Sequence, residues 1–276
     1  ILYFSGTGNT KYISEQIGEA FQRLNYHVDL ISVEDGEALL KLNIEEKLIG
    51  IGFPCYALSY PNIINQAIRK LPSSIKAVPA FIFATKGWST GNSLKELARF
   101  IHSKNLYPIQ TASFVCPNNG WITLFSREFV LCRNMGYPKT LSTEIDGFAV
   151  NIINSMKRFE REPFSIGTYG NPLVTPVTRL LKVMEGRVLR NYRVERERCI
   201  SCGLCIKNCP DRNIRFDDDR RVIFQNPDHC TGCLRCINDC PKDAIRLGGL
   251  ITGKGWYTKE LQAEYIKKAT ENRGIG

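Results

Sequence analysis

The chain has 276 residues, 43% of them hydrophobic and 23% charged, and carries a formal net charge of +10. These proportions are those of a soluble globular protein with room for one full domain and a smaller second one. No apolar run approaches the roughly eighteen residues of a membrane helix. No secretion signal is visible, so a reducing cytoplasm is the expected compartment. Basic runs interleaved with aromatics are missing as well, so nucleic acid is not an expected partner.

The chain opens on a short apolar strand, Ile1-Leu2-Tyr3-Phe4, without a methionine, so at least one residue is expected ahead of it. The strand runs into Ser5-Gly6-Thr7-Gly8-Asn9-Thr10. An amphipathic stretch follows, with Ile13, Ile17, Ala20, Phe21 and Leu24 at helical spacing. A strand–loop–helix unit of this kind presents backbone N–H groups at a helix N-terminus, where an anion is welcome. Gly6 and Gly8 permit close approach to the backbone, and Ser5, Thr7 and Thr10 supply hydroxyls. The loop has no Lys or Arg before Lys11, so a phosphate here is held mainly by neutral donors. Neither a P-loop, G-x4-G-K-S/T, nor a dinucleotide fingerprint, G-x-G-x-x-G, fits the spacing.

Further strands are expected at residues 26–32, 47–54, 78–85 and 106–116, with helices at 62–71, 93–104 and 148–159. The alternation, and apolar runs such as Ala80-Phe81-Ile82-Phe83-Ala84, suit a parallel sheet covered on both faces. Residues 5–10 resemble the phosphate loop of flavodoxins, S/T-x-T-G-x-T, at every position, and residues 1–160 resemble the flavodoxin fold. The resemblance implies a doubly wound α/β sheet of strand order 2-1-3-4-5 with FMN bound beyond the carboxyl ends of its strands. It draws in Ser5, Gly6, Thr7, Gly8, Asn9 and Thr10 for the phosphate. Around the flavin ring it draws in Pro54, Cys55, Tyr56, Ala57 and Leu58 from one loop, and Thr85, Lys86, Gly87, Trp88, Gly91 and Asn92 from another. Tyr56 and Trp88 offer flat faces for the ring. The second loop departs from flavodoxins, where it is usually acidic, and the positive charge of Lys86 is expected to favour the anionic reduced flavin. Pro117-Asn118-Asn119-Gly120-Trp121 faces the same end, and whether it covers the flavin or the second domain stays open.

Residues 161–198 carry eight basic and four acidic side chains, with an apolar helical stripe of Val177, Leu180, Leu181, Met184, Val188 and Leu189 that is expected to pack. The densest signal comes next. Cys199-Ile-Ser-Cys202-Gly-Leu-Cys205-Ile-Lys-Asn-Cys209-Pro210 is repeated as Cys230-Thr-Gly-Cys233-Leu-Arg-Cys236-Ile-Asn-Asp-Cys240-Pro241, so eight of the eleven cysteines form two C-x2-C-x2-C-x3-C-P runs. A zinc ion takes four ligands, usually from two separated C-x2-C knuckles. Here three thiolates at successive intervals of three can wrap three corners of a cubane, and the proline redirects the chain after the fourth. The runs resemble bacterial two-cluster ferredoxins, in which the fourth cysteine serves the other cluster. That implies one 4Fe-4S cluster on Cys199, Cys202, Cys205 and Cys240, and a second on Cys230, Cys233, Cys236 and Cys209.

Each oxidised cluster with four thiolates carries roughly −2. Two clusters and a flavin phosphate would bring the net charge of +10 down to about +4. The insert from Asp211 to Arg221 departs from the tighter pattern kept by Pro241-Lys-Asp-Ala-Ile245, which is expected to alter the exposure of one cluster. A glycine-rich stretch at 247–255 leads to an expected helix at 258–269 with Thr258 as its N-cap. Cys55, Cys116 and Cys132 are expected as buried thiols, and His27, His102 and His229 show no ligand spacing.

The whole chain is thus similar to flavodoxin–ferredoxin fusion proteins. The expected division is a flavodoxin-like domain at 1–160, a basic linker at 161–191, a two-cluster ferredoxin domain at 192–247 and a tail at 248–276. The similarity implies an electron carrier between FMN and two 4Fe-4S clusters, with a redox protein or a small-molecule acceptor as partner. An FMN-dependent reductase fed by the clusters is the alternative, and a redox sensor a weaker one. No acid–base or nucleophile constellation stands out, so the chemistry is expected to lie in the cofactors.

Overall fold

The computed structural model describes residues 1–45, 47–72, 76–117, 136–159, 174–189, 191–247, 257 and 259–271. Residues 118–121 of the stretch after Pro117, Cys132, Thr258 and most of the glycine-rich segment lie outside the described residues. So do residues 161–173 of the linker.

The first half is a five-stranded parallel sheet, with β1 (Leu2–Tyr3), β2 (Ile31–Ser32), β3 (Ile49–Pro54), β4 (Val78–Lys86) and β5 (Leu106–Val115) in the order β2-β1-β3-β4-β5. The expected doubly wound order is therefore the observed one. One face is covered by α1 (Asn9–Arg23) and α5 (Leu141–Phe159), the other by α2 (Gly36–Leu40), α3 (Asn62–Lys70) and α4 (Ser93–His102). The apolar run of β4 splits between the two cores: Ala80, Ile82 and Ala84 face α3 and α4, while Phe81 and Phe83 face α1 and α5. A strand buried on both sides needs such an unbroken apolar run.

β3 carries glycine on the α1 face for a packing reason. Gly50 pairs with Phe81 and Gly52 with Phe83 in register. The phenylalanine rings lie over the glycines, so a Cβ at Gly52 would sit 2.2 Å from the Phe83 ring and one at Gly50 2.4 Å from the Phe81 ring. The rings continue outward through Phe21, Phe114 and Phe148, with edge-on or tilted centroid distances of 5.7–6.3 Å.

Three elements differ from the sequence reading. β2 is two residues long, because its ladder partner β1 is paired only over Leu2–Tyr3. The short α2 arises where Asp35 caps a turn, its Oδ1 accepting from the Ala38 N–H at 2.9 Å. α5 begins at Leu141, well ahead of the expected start, since Leu141 and Ile145 already bury their side chains in the α1-side core.

α6 (Val174–Leu189) bridges toward the cysteine-rich unit. Its Val177, Leu180 and Met184 are exposed while Thr178 is buried, so these members of the stripe expected to pack turn outward. The cysteine-rich unit has two antiparallel pairs, β6 (Tyr192–Val194) with β9 (Ile245–Leu247) and β7 (Ile214–Phe216) with β8 (Val222–Phe224). Short helices α7 (Leu204–Lys207) and α8 (Arg235–Asn238) each carry the third cysteine of their repeat, Cys205 and Cys236. The insert that broke the repeat is the β7–β8 turn: the Asp217 carboxylate accepts from the Asp219 and Arg221 N–H groups and closes it. α9 (Lys259–Glu271) ends the described chain. Among the described residues no helix is long and apolar enough to cross a membrane.

Adding one methyl at Gly52 overpacks the Phe83 ring, so Gly52→Ala should cost about 1–3 kcal/mol in urea unfolding. Gly36, with open space around its Cα, is the control. Gly36→Ala should be neutral or stabilise by about 0.4–1 kcal/mol, and equal midpoint shifts for the two variants would refute this account.

Candidate cofactor sites

A pocket opens at the carboxyl end of the sheet, where a doubly wound fold places its ligand. It is lined by Ser5, Gly6, Thr7, Asn9 and Thr10 after β1, Pro54, Cys55 and Tyr56 after β3, Thr85, Lys86 and Gly87 at the end of β4, and Cys116 and Pro117 after β5. Gly8 stands at the N-cap of α1 with φ 104°, a conformation that a side chain would strain. Ser5 Oγ accepts from the Gly8 N–H at 3.1 Å and closes the turn. The first N–H groups of α1 have no acceptor within the helix and lie at this loop. Thr10 and Thr85 share a buried hydroxyl–hydroxyl bond of 2.8 Å between the β1 and β4 loops. The lining holds one cation, Lys86, and no carboxylate. That donor set fits a phosphate group.

Of the expected ring-contacting residues, Tyr56 lines the pocket, with its hydroxyl against Gly6. Trp88 does not line it and is 69% exposed, because the chain turns outward after Gly87. Ala57, Leu58, Gly91 and Asn92 also stand outside the lining. They build its wall instead. Ala57 and Leu58 both have positive φ in a two-residue turn closed by reciprocal Tyr56–Ser59 bonds of 2.8 Å. A Cβ on Gly91 would come within 2.8 Å of Leu58, so the two loops are packed together. Asn92 caps α4 through its carbonyl, which accepts from the Glu96 N–H.

Asn9 lines the pocket and also ties the loop to distant segments. Its amide donates to the Pro117 carbonyl at 2.9 Å, and its Oδ1 accepts from the hydroxyls of Tyr137 and Tyr257. Both acceptor sites of Oδ1 are thereby used, which leaves its backbone N–H and one amide hydrogen for a ligand. The Tyr257 N–H in turn donates to Asn238 Oδ1, so this residue ties the loop to the cysteine-rich unit. The sequence reading missed both tyrosines. Nothing local marks them, since Tyr257 lies 248 residues from its partner.

The eight cysteines of the double run line two cavities. Cys199, Cys202, Cys205 and Cys240 surround one, with apolar neighbours including Val194, Ile200 and Leu204. Cys209, Cys230, Cys233 and Cys236 surround the other, beside Tyr192 and Phe224. Each cavity thus takes three cysteines from one repeat and the fourth from the other. No group of three or more His, Cys, Asp or Glu among the described residues is placed to hold a single metal ion. Burial pushes the Cys205 thiol up to about 11 and the Cys233 thiol up to about 12. Thiols held neutral this way become ligands by giving up their protons to a metal.

The two repeats share one backbone plan. Ser201 and Gly203 in the first have positive φ, and so do Gly232 and Leu234 at the matching places in the second. Arg212 and Asp243, each three residues past the fourth cysteine, repeat this. The Asn213 N–H donates to Cys209 Sγ and the Ala244 N–H to Cys240 Sγ, both at 3.3 Å. Asn208 and Asp239, which precede those cysteines, bond to each other at 2.8 Å. The carboxylate of Asp211 fixes the loops together by accepting from both the N–H and the hydroxyl of Thr231.

Residues 192–247 match the family model of the 4Fe-4S dicluster domain. This chain therefore joins a flavodoxin-like sheet to a 4Fe-4S domain. No curated relative matches it. Among solved structures it is similar to a flavodoxin from the domain Archaea, at 18% identity over 56% of this chain and 96% of that one, TM-score 0.38. It is similar to the two-electron reduced Megasphaera elsdenii flavodoxin, at 19% identity over 54% and 95%, TM-score 0.38. It is also similar to oxidised flavodoxin 2 from Bacillus cereus, at 14% identity over 55% and 95%, TM-score 0.40. The strand order carries the fold assignment without them.

The sheet and the cysteine-rich unit meet at the loop after β1. A Cβ on Gly6 would stand 3.1 Å from the Cβ and carbonyl of Cys233. Cys202, by contrast, is exposed, and Ile200 beside it is 58% exposed. One cysteine cavity therefore abuts the loop after β1, while the other carries an exposed rim at Ile200 and Cys202.

Tyr192 stacks on Phe224 at 4.4 Å, and its hydroxyl oxygen accepts from the Cys230 thiol at 3.8 Å, a contact in which the hydroxyl would become the donor to a metal-bound thiolate. Hydrogen bonds to cluster sulfurs raise the reduction potential. Tyr192→Phe should lower the potential of the cluster at that cavity by at most about 40 mV, the equivalent of about 1 kcal/mol for one electron. An unmoved midpoint in an EPR-monitored titration would show that the hydroxyl does not act on the sulfur.

Proposed function

We propose that the chain relays electrons between FMN in the sheet pocket and two 4Fe-4S clusters in the cysteine cavities. The flavin supplies two-electron chemistry and the clusters one-electron chemistry. The observation that carries the reading is the contact of Gly6 with Cys233, which sets the inner cysteine cavity against the loop that fits a phosphate.

Each residue has a part in this reading. The N–H groups of Gly6, Thr7, Asn9 and Thr10 and the hydroxyls of Ser5 and Thr7 hold the phosphate, with Gly8 shaping the turn. Tyr56, Cys55, Thr85, Lys86 and Gly87 flank the ring. Cys209, Cys230, Cys233 and Cys236 hold the inner cluster, and Cys199, Cys202, Cys205 and Cys240 the outer one. The exposed Cys202 edge is where a redox partner exchanges electrons with the outer cluster. The functional division follows the domains at 1–160 and 192–247, with 161–191 as the join and 248–276 as the tail.

Denatured protein should release about one flavin, with iron and sulfide near eight each per chain, about twice the content of a single 4Fe-4S cluster. Zinc in place of iron, or a chain without flavin, would end the reading. Turnover separates a carrier from a reductase. Chemically reduced protein should pass electrons to carrier proteins and not turn over quinones or nitro compounds.

The cysteine assignment has its own test. Cys209→Ser should disturb the cluster whose other ligands are Cys230, Cys233 and Cys236. An EPR signal in which only the other cluster changes would reverse the assignment. Lys86→Ala should lower the potential of the anionic reduced flavin, read by potentiometric titration.

A further inference from the structure

Arg235 stands between two cysteines of the inner cavity, Cys233 and Cys236, yet its side chain reaches into the sheet domain. Its Nε donates to the Gly6 carbonyl at 2.8 Å and one Nη2 hydrogen to the Ser5 carbonyl at 2.7 Å. The other Nη2 hydrogen and one on Nη1 fork onto the Glu34 carboxylate at 2.7 and 2.9 Å. The last Nη1 hydrogen meets the carbonyl of Asn208, the residue before Cys209, at 2.9 Å. A guanidinium has five N–H donors, and all five are used. The side chain is 15% exposed and passes over the Phe4 ring, with Cζ 5.9 Å from its centroid.

Two of these bonds fix peptide planes. In a trans peptide the C=O of one residue and the N–H of the next point in opposite directions. Drawing the Ser5 and Gly6 carbonyls toward Arg235 turns the N–H groups of Gly6 and Thr7 the other way. Both residues line the pocket. The orientation of the loop's donors is therefore set from the cysteine-rich unit. Arg235 itself is held in place by its neighbours, which become metal ligands only when a cluster is present.

We propose that Arg235 is a positioning residue for the phosphate loop and that, through it, FMN binding is coupled to cluster assembly. This rests on the relay reading of the two sites. Coupling between two sites is reciprocal: whatever the clusters add to FMN affinity, FMN adds to cluster retention. Glu34 takes part because it holds the guanidinium fork from the loop after β2. Lys at position 235 would keep the charge but lose the planar fork that spans two carbonyls and a carboxylate.

The test titrates FMN into the full-length chain, by fluorescence quenching, with clusters intact and after anaerobic iron chelation. Wild type should lose about 5- to 150-fold in FMN affinity when the iron is removed, the usual range of coupling. Arg235→Lys, with its iron content verified, should already show the weaker affinity and lose little more on chelation. Glu34→Gln, outside the cysteine-rich unit, should fall in the same direction. It decides the matter if Arg235→Lys fails to hold iron. As the reciprocal readout, FMN should slow iron loss to the chelator in wild type and not in Arg235→Lys. A wild-type affinity indifferent to iron removal would overturn the coupling, and so would an undiminished loss in both variants. A chain that binds neither FMN nor iron would overturn the relay itself; one that binds both independently overturns only the coupling.

Discussion

The absence of a side chain at Gly6 is the constraint on which the rest of this structure depends. Any Cβ there would strike the Tyr56 hydroxyl on one side and Cys233 on the other. With hydrogen in that place, the loop after β1 serves two neighbours at once: the pocket at the end of the sheet and the wall of the inner cysteine cavity. A Cβ there would require the Tyr56 ring to swing aside and Cys233 to give by a few tenths of an ångström, in the seam that the Arg235 bonds to Ser5 and Gly6 cross. A glycine that reads in the sequence as part of a phosphate loop is equally a residue of the domain interface.

The cysteine-rich unit obtains its geometry by repetition of backbone more than of side chains. Both repeats need left-handed residues at the same two places, and each gives one to glycine and the other to a residue with a Cβ. In the first repeat Ser201 bears the strain and Gly203 does not; in the second Gly232 is the free one and Leu234 the strained one. A left-handed non-glycine residue costs about 1–2 kcal/mol. Holding the same turn twice at that cost shows how strictly the three thiols must converge. The N–H groups of Asn213 and Ala244, aimed at the fourth sulfur of each run, complete the match.

What the sequence made legible was local. The strands themselves were legible from apolar run length, because a buried parallel strand leaves an unbroken signature over a few residues, while their order came from the resemblance of residues 1–160 to flavodoxins. The grouping of eight cysteines into two sets of four came from the resemblance of the runs to two-cluster ferredoxins, and each of two cavities is lined by one of those sets. What stayed hidden was the meeting of distant segments. Arg235 and Glu34 are 201 residues apart, and nothing in either neighbourhood marks the pair. Asn9 read as a ligand residue because its motif position is one, while its side chain is largely consumed by Tyr137, Tyr257 and Pro117. Trp88 read as a ring neighbour because aromatics stack, but the direction of the loop after Gly87 is fixed by packing of Gly91 on Leu58, which no local pattern encodes. The insert between the runs looked like an irregularity, and its Asp217 turn makes it a hairpin.

The sharing of cysteines between the two repeats has a consequence for the chain as a polymer. Metal bound in one cavity ties Cys199 to Cys240, and metal bound in the other ties Cys209 to Cys230, so the shorter closed loop lies inside the longer one. Each tie removes chain entropy from the unfolded ensemble as a disulfide does, and the longer loop removes more. Nested ties do not act separately: opening the inner one lengthens the free path inside the outer. A unit with little apolar core of its own, Leu234, Ile237, Ile245 and Leu247 at its centre, thereby gains the persistence that secreted proteins of its size obtain from sulfur–sulfur bonds, by means that a reducing environment leaves intact.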